Sequence, residues 1–326
     1  MRVSDLIGAR AAPSAPPLRL GAAPAATPAP HERRAFTRLY DDITEGIREV
    51  GEGVRKGGRI HAGAFIHQVR QLACTPEAVT ALLPTAFAPY DPDDFLDRHT
   101  SNVVVLALAT AEALGIQEEN RLCVAFASAA HDLGMYSLPR ELLYKRGALD
   151  ISEAKTLRRH PHVGFSLLRS TRHNVENLAR AVYQEHEREN GNGYPEGVRS
   201  PEIAQEAKII AVADTFEALM HNRPHRPGLS PFECIRTLTQ KGRGELCPRV
   251  LRSFLAQITP FPPTSRVQLN DGRNAEVVAV NSDSPLRPVV RVDASNRASG
   301  ERMLVDLSQT PLLSIASTLE PTRLPS

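Results

Sequence analysis

The chain has 326 residues, of which 41% are hydrophobic, so it can fill a sizeable core in one large domain or in two domains. Its 39 basic and 37 acidic residues leave a net charge of +2, which gives no reason to expect a nucleic acid or another polyanion as partner. The four cysteines are scattered and form no C-x-x-C motif, which favours buried thiols in a reducing compartment over disulfides or a zinc finger. We therefore expect a globular protein of the cytoplasm.

The N-terminal part is predicted to be a leader followed by helices. Residues 1–32 are rich in alanine and proline and lack a continuous apolar stretch, which predicts a disordered leader rather than a signal peptide or a membrane span. From residue 33 onward, apolar residues recur at helical spacing, as in the segment from Phe36 to Val50. Thr75 and Pro76 then suit the N-cap and the first turn of another helix. We predict a small helical region over residues 33–90.

Residues 91–260 are predicted to form an almost wholly helical domain. Asp150 with Glu153 forms a capping box that starts one of its helices. The segment 206–220 is apolar nearly all round apart from Asp214, which predicts a central buried helix.

After residue 260 the sequence pattern changes. Four short runs with alternating β-branched residues, separated by turn residues, predict a small β module over residues 264–316, followed by a polar tail at residues 317–326. The predicted fold class is therefore mainly α, with an N-terminal helical region and a small C-terminal β module.

Several ionisable residues fall on or beside the apolar faces of the predicted helices. In the helix before His131, continuing the apolar pattern places Asp132 where a hydrophobic residue is expected. Burying an unpaired carboxylate is so costly that the group must be neutralised, paired or bound to a metal. The whole set consists of His99, His131, Asp132, His160, Glu185, His186 and Asp214. Nitrogen and carboxylate ligands without a thiolate suit a pair of divalent metals, Fe or Mn rather than structural zinc.

Two such ions, a few ångströms apart, lower the pKa of a bridging water and bind both oxygens of a phosphoryl displacement. The alternative for each residue is structural, because a single histidine is more often a satisfied core or surface residue and an arginine partner would also explain a buried carboxylate. The agreement among several helices carries the metal-site interpretation. A loop of turn-forming residues from Asn190 to Pro195 displays Tyr194 directly after two of these residues, although an ordinary glycine-rich turn explains the loop equally well.

Four ordered motifs within roughly residues 91–260 resemble the HD-GYP family of the HD phosphohydrolase superfamily. The motifs are HDLG from His131, HPHVG from His160, EHERENGNGYP from Glu185 and the segment from Ile209 that ends in RPHRPGLSP. The resemblance implies an HD-type helical bundle that holds two Fe or Mn ions and hydrolyses the bacterial second messenger cyclic di-GMP to pGpG or GMP. It also implies that the GYP loop is where other signalling proteins would dock.

The resemblance also assigns roles to individual residues. The implied metal ligands are His99, His131, Asp132, His160, His186 and Asp214, with Asp132 bridging the two ions. Glu185 stands where the family has a histidine, and its carboxylate can still bind a hard cation. Asp132 and Tyr194 are the expected catalytic residues. The expected substrate-binding residues are Gly193, Tyr194, Arg223 and Arg226, since the forked donors of arginine suit both phosphate and guanine.

Three departures from the family pattern bear on function. Met135 stands where the family has a phosphate-binding lysine, Glu185 replaces a neutral histidine, and Phe95 replaces the acidic residue that serves a third metal in some members. The first two make the site more negative, and an approaching phosphate feels each unit charge at a level of about 1 to 4 kcal/mol. The leading hypothesis is a metal-dependent cyclic di-GMP phosphodiesterase. The alternatives are a catalytically degenerate cyclic di-GMP sensor or adaptor and a phosphohydrolase for another nucleotide.

Overall fold

A computed structural model describes most of the chain, in ranges separated by short gaps. These ranges are 28–57, 63–92, 95–171, 175–223, 226–242, 244–258, 261, 264–281, 284, 286–293 and 303–319. The predicted leader up to residue 27 and the predicted tail beyond residue 319 lie outside the described residues.

Within the described residues, three N-terminal helices precede the main helical domain, namely α1 (Pro30–Arg55), α2 (Gly63–Ala73) and α3 (Pro76–Ala86). The apolar stripe predicted for α1 is buried from Leu39 to Val50, and Phe36 packs partly buried against the core. Residues 30–32, which we expected in the leader, are helical. The Glu32 carboxylate accepts a hydrogen bond of 2.7 Å from the amide of Ala29. Pro30 suits the first turn, because an amide hydrogen at that position would have no acceptor within the helix. These capping features start the helix before the apolar pattern begins.

The main domain is helical, which confirms the predicted fold class. Its elements are α4 (Phe95–Ala113), α5 (Glu118–Ala130), a 3-10 helix (Leu133–Ser137), α6 (Arg140–Leu143), α7 (Ile151–Leu157), α8 (His160–Arg169), α9 (Glu176–Gln184), α10 (Gln205–Met220), α11 (Pro231–Lys241) and α12 (Pro248–Gln257). The capping box of Asp150 and Glu153 starts α7, as predicted. The predicted central helix is α10, which packs against α4, α5, α9, α11 and α12.

One continuous apolar core runs from Leu39 to Ile258 and joins α1–α3 to the main domain. Within this core, α1 packs against α4 and the 3-10 helix. Gly51 of α1 faces the ring of Tyr136 so closely that an added Cβ would lie 2.2 Å from ring atom Cε1. The Tyr136 hydroxyl donates a hydrogen bond to Asp97, so the ring is fixed between α1 and α4. The N-terminal helices and the main domain thus pack as one body.

The C-terminal module is an antiparallel sheet with the strand order β4-β3-β2-β1-β5. The strands are β1 (Arg266–Leu269), β2 (Asn274–Ala279), β3 (Val289–Val292), β4 (Met303–Asp306) and β5 (Ile315–Thr318). We predicted the first four strands but not β5, which crosses into the predicted tail and pairs with β1 through Leu269 and Ile315. Val267, Val277 and Val290 fill a second, smaller apolar core. Among the helices of the described ranges, none combines the length and the apolar character that crossing a membrane requires.

Candidate metal centre

His99, His131 and Asp214 form the first of two side-chain triads whose potential ligand atoms lie within 4.8 Å of one another. His99 lies in the second turn of α4, His131 follows the last residue of α5, and Asp214 lies in the middle of α10. The Nε2 atom of His99 is 3.2 Å from Oδ1 of Asp214 and 3.4 Å from Nε2 of His131. Three separate helices therefore bring these residues together.

His160, Glu185 and His186 form the second triad. His160 is the first residue of α8, and Glu185 and His186 follow the last residue of α9. The Nε2 atom of His160 lies 3.1 Å from Nε2 of His186 and 3.3 Å from Oε1 of Glu185. Glu185, which departs from the family pattern, thus lies among the potential ligands.

The carboxylate of Asp132 lies between the two triads. Its Oδ2 atom is 3.4 Å from Nε2 of His99 and 3.5 Å from Nε2 of His131, whereas its Oδ1 atom is 3.5 Å from Nε2 of His160. One oxygen therefore faces each triad, which is the arrangement that a bridging carboxylate requires. All seven residues that the sequence singled out as potential ligands lie together in this cluster.

Three of the four imidazoles are oriented by acceptors outside the cluster. Nδ1 of His131 donates to the carbonyl oxygen of Ser128 at 2.7 Å, and Nδ1 of His160 donates to that of Leu157 at 2.8 Å. Nδ1 of His99 lies against the carboxylate of a further residue, described below. With the proton held on Nδ1, each Nε2 lone pair points into the cluster, which is the usual arrangement of a histidine that ligates a metal.

Burial and the charges of neighbouring groups shift the pKa values of the residues in the cluster. Burial lowers the pKa of His160, but the carboxylates of Glu185 and Asp132 outweigh that effect and raise it to about 9. Burial and the neighbouring His160 lower the pKa of His186 to about 3. Burial alone would raise the pKa of Asp132, yet the surrounding imidazoles of His131, His99 and His160 hold it well below its usual range. At neutral pH, the raised pKa of His160 favours a proton on its imidazole, and a divalent cation bound there would displace that proton.

The carboxylate of Glu185 gives the most direct test of whether the cluster fits metal ions. Its side chain is 1% exposed, and neither oxygen has a hydrogen-bond partner. Burial raises the pKa of this group. A buried carboxylate without hydrogen bonds is costly unless it is neutralised or bound to a cation. Together with the converging Nε2 atoms, these orphaned oxygens fit a centre for divalent cations.

Glu217 is a further buried carboxylate at the centre, and the sequence analysis missed it. Its side chain is fully buried in α10, three residues after Asp214. One carboxylate oxygen contacts Nδ1 of His99, and neighbouring charges, of which His99 is the largest, hold its pKa well below the usual range despite burial. Its other partners are Tyr90, Asn102, His221 and Arg223, at distances of 2.9 to 3.3 Å. The signal available in the sequence was that Glu217 is a further ionisable residue in this apolar helix, three positions after Asp214.

The loop that carries Tyr194 is anchored directly on the second triad. The ring of Tyr194 stacks on the ring of His186, with centroids 4.7 Å apart and an angle of 23° between the planes. The Tyr194 amide donates to the carbonyl oxygen of His186 at 3.1 Å. Gly193 passes so close to the preceding backbone that an added Cβ would lie 2.4 Å from the same oxygen. The geometry therefore requires glycine at this position and holds Tyr194 at the edge of the cluster.

The remaining sequence-predicted residues lie around this centre with other contacts. Nη2 of Arg223 donates to Glu217 at 3.3 Å, and its guanidinium lies 4.9 Å from the ring centre of Phe95. The guanidinium of Arg226 donates to main-chain carbonyl oxygens near the end of α10. Met135 is 9% exposed and packs in the main core. In the structure, both arginines therefore contact protein groups. Their contact with substrate stays a prediction.

Comparisons with known proteins match two parts of the chain. A family model described as an HD domain matches residues 90–247, and one described as a KOW domain associated with the HD domain matches residues 266–326. A solved structure of Bd1817, an HDG"Y"P protein from Bdellovibrio bacteriovorus, has a TM-score of 0.56 and 16% identity, and the match covers 68% of this chain and 71% of that chain. This likeness shows the fold.

Curated relatives are also similar to parts of this chain. A cyclic di-GMP phosphodiesterase of Pseudomonas aeruginosa is 29% identical over 67% of this chain and 53% of its own length. The cyclic di-GMP phosphodiesterase response regulator RpfG of Xanthomonas campestris pv. campestris is 35% identical over 46% of this chain and 39% of its own length. The chain therefore spans about half the length of these relatives, or less. Residues 90–247, which match the HD domain and carry the four ordered motifs, therefore form a domain of the HD-GYP family.

Proposed function

We propose that the protein is a metal-dependent phosphodiesterase that hydrolyses cyclic di-GMP to pGpG or GMP in the bacterial cytoplasm. The observation that carries this proposal is the pair of triads with the Asp132 carboxylate between them. The proposed metals are two Fe or Mn ions, because the potential ligands are imidazoles and carboxylates without a thiolate. The names of the relatives support cyclic di-GMP as the substrate.

The residues of the centre would divide the work as follows. A pair of divalent cations bound there would supply Lewis-acid activation of water and of the phosphoryl group. Asp132, with one oxygen towards each triad, would fix the separation of the ligand sets and orient the attacking water. Tyr194, held on His186, would position the substrate beside the centre. Arg223 and Arg226 are proposed to contact phosphate or guanine, and the GYP loop to contact other signalling proteins.

The alternative of a degenerate sensor or adaptor rests on Met135 and Glu185. Oε1 of Glu185 lies 3.3 Å from Nε2 of His160, so both atoms can face the same ion. Glu185 in place of the family histidine therefore does not reduce the number of potential ligands. The relatives described above are named as phosphodiesterases, which favours the enzyme over the sensor.

The proposal is tested by metal analysis and hydrolysis assays on the same anaerobically purified samples. We expect about two Fe or Mn ions per wild-type chain and release of pGpG or GMP. Asp132→Ala should lose both metal and activity, whereas Asp271→Ala, in an exposed turn of the β module, should keep both. A panel of other nucleotides distinguishes the third hypothesis. Metal-replete wild type without turnover would contradict the enzyme proposal, and retained binding of cyclic di-GMP would then favour the sensor.

A further inference from the structure

Four arginines have described contacts around the candidate centre, and three of them are engaged with protein groups. Arg223 donates to the buried carboxylate of Glu217, and Arg226 donates to main-chain carbonyl oxygens. Nη1 of Arg188 donates to the carbonyl oxygens of Glu185 and Glu187, at 3.2 and 2.9 Å. Each of these three guanidinium groups therefore already has a protein acceptor for at least one of its donors.

Arg158 differs from the other three in this respect. Its side chain is exposed, and its guanidinium lies 5.3 Å from the centre of the Tyr194 ring, which itself stacks on His186. Among the described residues, no carboxylate or carbonyl oxygen accepts a hydrogen bond from it. A cation over a tyrosine face gains about 0.5 to 1 kcal/mol at an exposed site, which holds the group in place but leaves its donors free.

The backbone that carries Arg158 is also fixed relative to the metal centre. Arg158 is the C-cap of α7, where its amide donates to the carbonyl oxygens of Ala154 and Thr156. His160, a potential ligand, follows two residues later as the first residue of α8. The free guanidinium therefore lies beside the second triad on a short, ordered segment.

The charge of the substrate calls for such a group. Two divalent cations would carry four positive charges against the three carboxylates of Asp132, Glu185 and Asp214, and Met135 adds no further positive charge. A cyclic dinucleotide carries one negative charge on each of its phosphodiester groups. A planar guanidinium with free donors matches the oxygens of such a group better than a point charge does.

We infer that Arg158 binds a phosphate of the cyclic dinucleotide at the edge of the metal centre and that stacking on Tyr194 holds its guanidinium in place. This inference rests on the proposed function, because it takes the same substrate. It adds a substrate-binding residue outside the four HD-GYP motifs and gives Tyr194 the additional task of positioning a cation.

The test compares Arg158→Ala with Arg159→Ala in the full-length, Mn-loaded protein. Arg159 is the adjacent arginine and is also exposed, but it makes no described contact with Tyr194. Calorimetry measures the Kd of a hydrolysis-resistant phosphorothioate analogue of cyclic di-GMP, and steady-state assays measure kcat and KM. Loss of a hydrogen-bonded charge pair should raise Kd and KM of Arg158→Ala about 10- to 100-fold with little change in kcat. Arg159→Ala should stay within about two-fold of wild type, and Arg158→Lys should lie between.

The outcomes separate this inference from the proposed function. Equal Kd values for Arg158→Ala and Arg159→Ala would overturn the role of Arg158, while hydrolysis by wild type would leave the phosphodiesterase proposal standing. Loss of bound Mn in Arg158→Ala would show a structural role and would also overturn the inference. Binding without hydrolysis, still weakened in Arg158→Ala, would support Arg158 and contradict the enzyme. Metal-loaded wild type that neither binds nor hydrolyses would overturn both.

Discussion

Glu217 is the residue whose role the structure changes most. It supports a potential ligand from behind, because one carboxylate oxygen contacts Nδ1 of His99 while the Nε2 atom of that ring faces the cluster. Such a partner fixes the ring orientation and increases the basicity of the ligating nitrogen. Its charge is balanced by Arg223, which also explains why that arginine is not free. Glu217 is therefore expected to act on the metal rather than on the substrate.

We predict that Glu217→Gln lowers the metal affinity of the His99 triad about 10- to 100-fold, because the amide keeps the size of the side chain but removes its charge. Titration of metal-free protein with Mn, followed by elemental analysis, measures the loss. Glu206→Gln on the same helix is the matched control and should bind metal like wild type. Unchanged affinity in Glu217→Gln would show that the contact with His99 is only structural.

A second prediction at this scale concerns Gly193. A Cβ at this position would meet main-chain atoms of His186 and Arg188, at 2.4 and 2.5 Å, so Gly193→Ala must displace the Tyr194 loop. Displacing a substrate-positioning group by about 1 Å can cost about 100-fold in rate, so kcat/KM should fall at least about ten-fold while bound metal is retained. Asn192→Ala, an exposed neighbour, should keep its activity. Equal kcat/KM for the two variants would contradict this account.

The sequence identified the potential ligands because each is an ionisable residue on or beside the apolar face of a predicted helix. Asp132 and Asp214 are the clearest cases, since a carboxylate in an apolar segment needs a partner. Glu217 was missed because Asp214 already accounted for the polar character of the same helix. The contact of this second carboxylate with His99 joins two separate helices. Contacts behind a ligand depend on which helices are neighbours, and the pattern of a single helix does not contain that information.

At the scale of elements, α10 connects the metal centre to the core. One side of this helix carries Asp214 and Glu217, and another carries Phe216, which is fully buried against Phe87 and Phe254. The two ring contacts tie α10 to α12 and to the segment after α3. The position of two charged groups at the centre thus depends on an aromatic contact in the interior.

We predict that Phe216→Ala lowers the free energy of unfolding by about 3 to 5 kcal/mol, because it removes a large side chain and leaves a cavity. Chemical denaturation of the metal-free protein measures this loss without a contribution from bound ions. Ile151→Ala is the control, since Ile151 is 91% exposed and its truncation should change stability by less than about 0.5 kcal/mol. A loss below about 1 kcal/mol in Phe216→Ala would contradict tight packing at this site.

The elements that could be predicted are those with a local signal. Apolar periodicity and capping residues are properties of a single segment, so α1, α7 and α10 were expected close to where they lie. The strand β5 was missed because its residues show no strict alternation, and its partner β1 lies more than forty residues earlier in the chain. Such a strand forms because it pairs with a distant segment of the chain, and the local sequence pattern does not predict that pairing.

At the scale of the whole molecule, the cluster should make stability depend on metal. Bound cations would neutralise the buried carboxylates of the cluster, among which Glu185 has no hydrogen-bond partner. A ligand that binds only the folded state stabilises it by about 2.7 kcal/mol at a concentration of 100 times its Kd. The melting temperature of wild type should therefore rise with added Mn and fall after chelation. In Asp132→Ala the melting temperature should no longer respond to Mn, whereas Asp271→Ala should respond like wild type. An equal response in Asp132→Ala would place the bound ions elsewhere.

The contact between Gly51 and Tyr136 has a mechanical consequence for the whole molecule. The Tyr136 ring occupies the space that a side chain would take on α1, and its hydroxyl is tied to Asp97, two residues before His99. The backbone that leads into this ring comes directly from His131 and Asp132. If α1 tilts or slides, the ring must follow, and the spacing of the imidazoles and of the carboxylate between them changes with it. Movement of the N-terminal helix would therefore be transmitted towards the ligand atoms through the Tyr136 ring and Asp97.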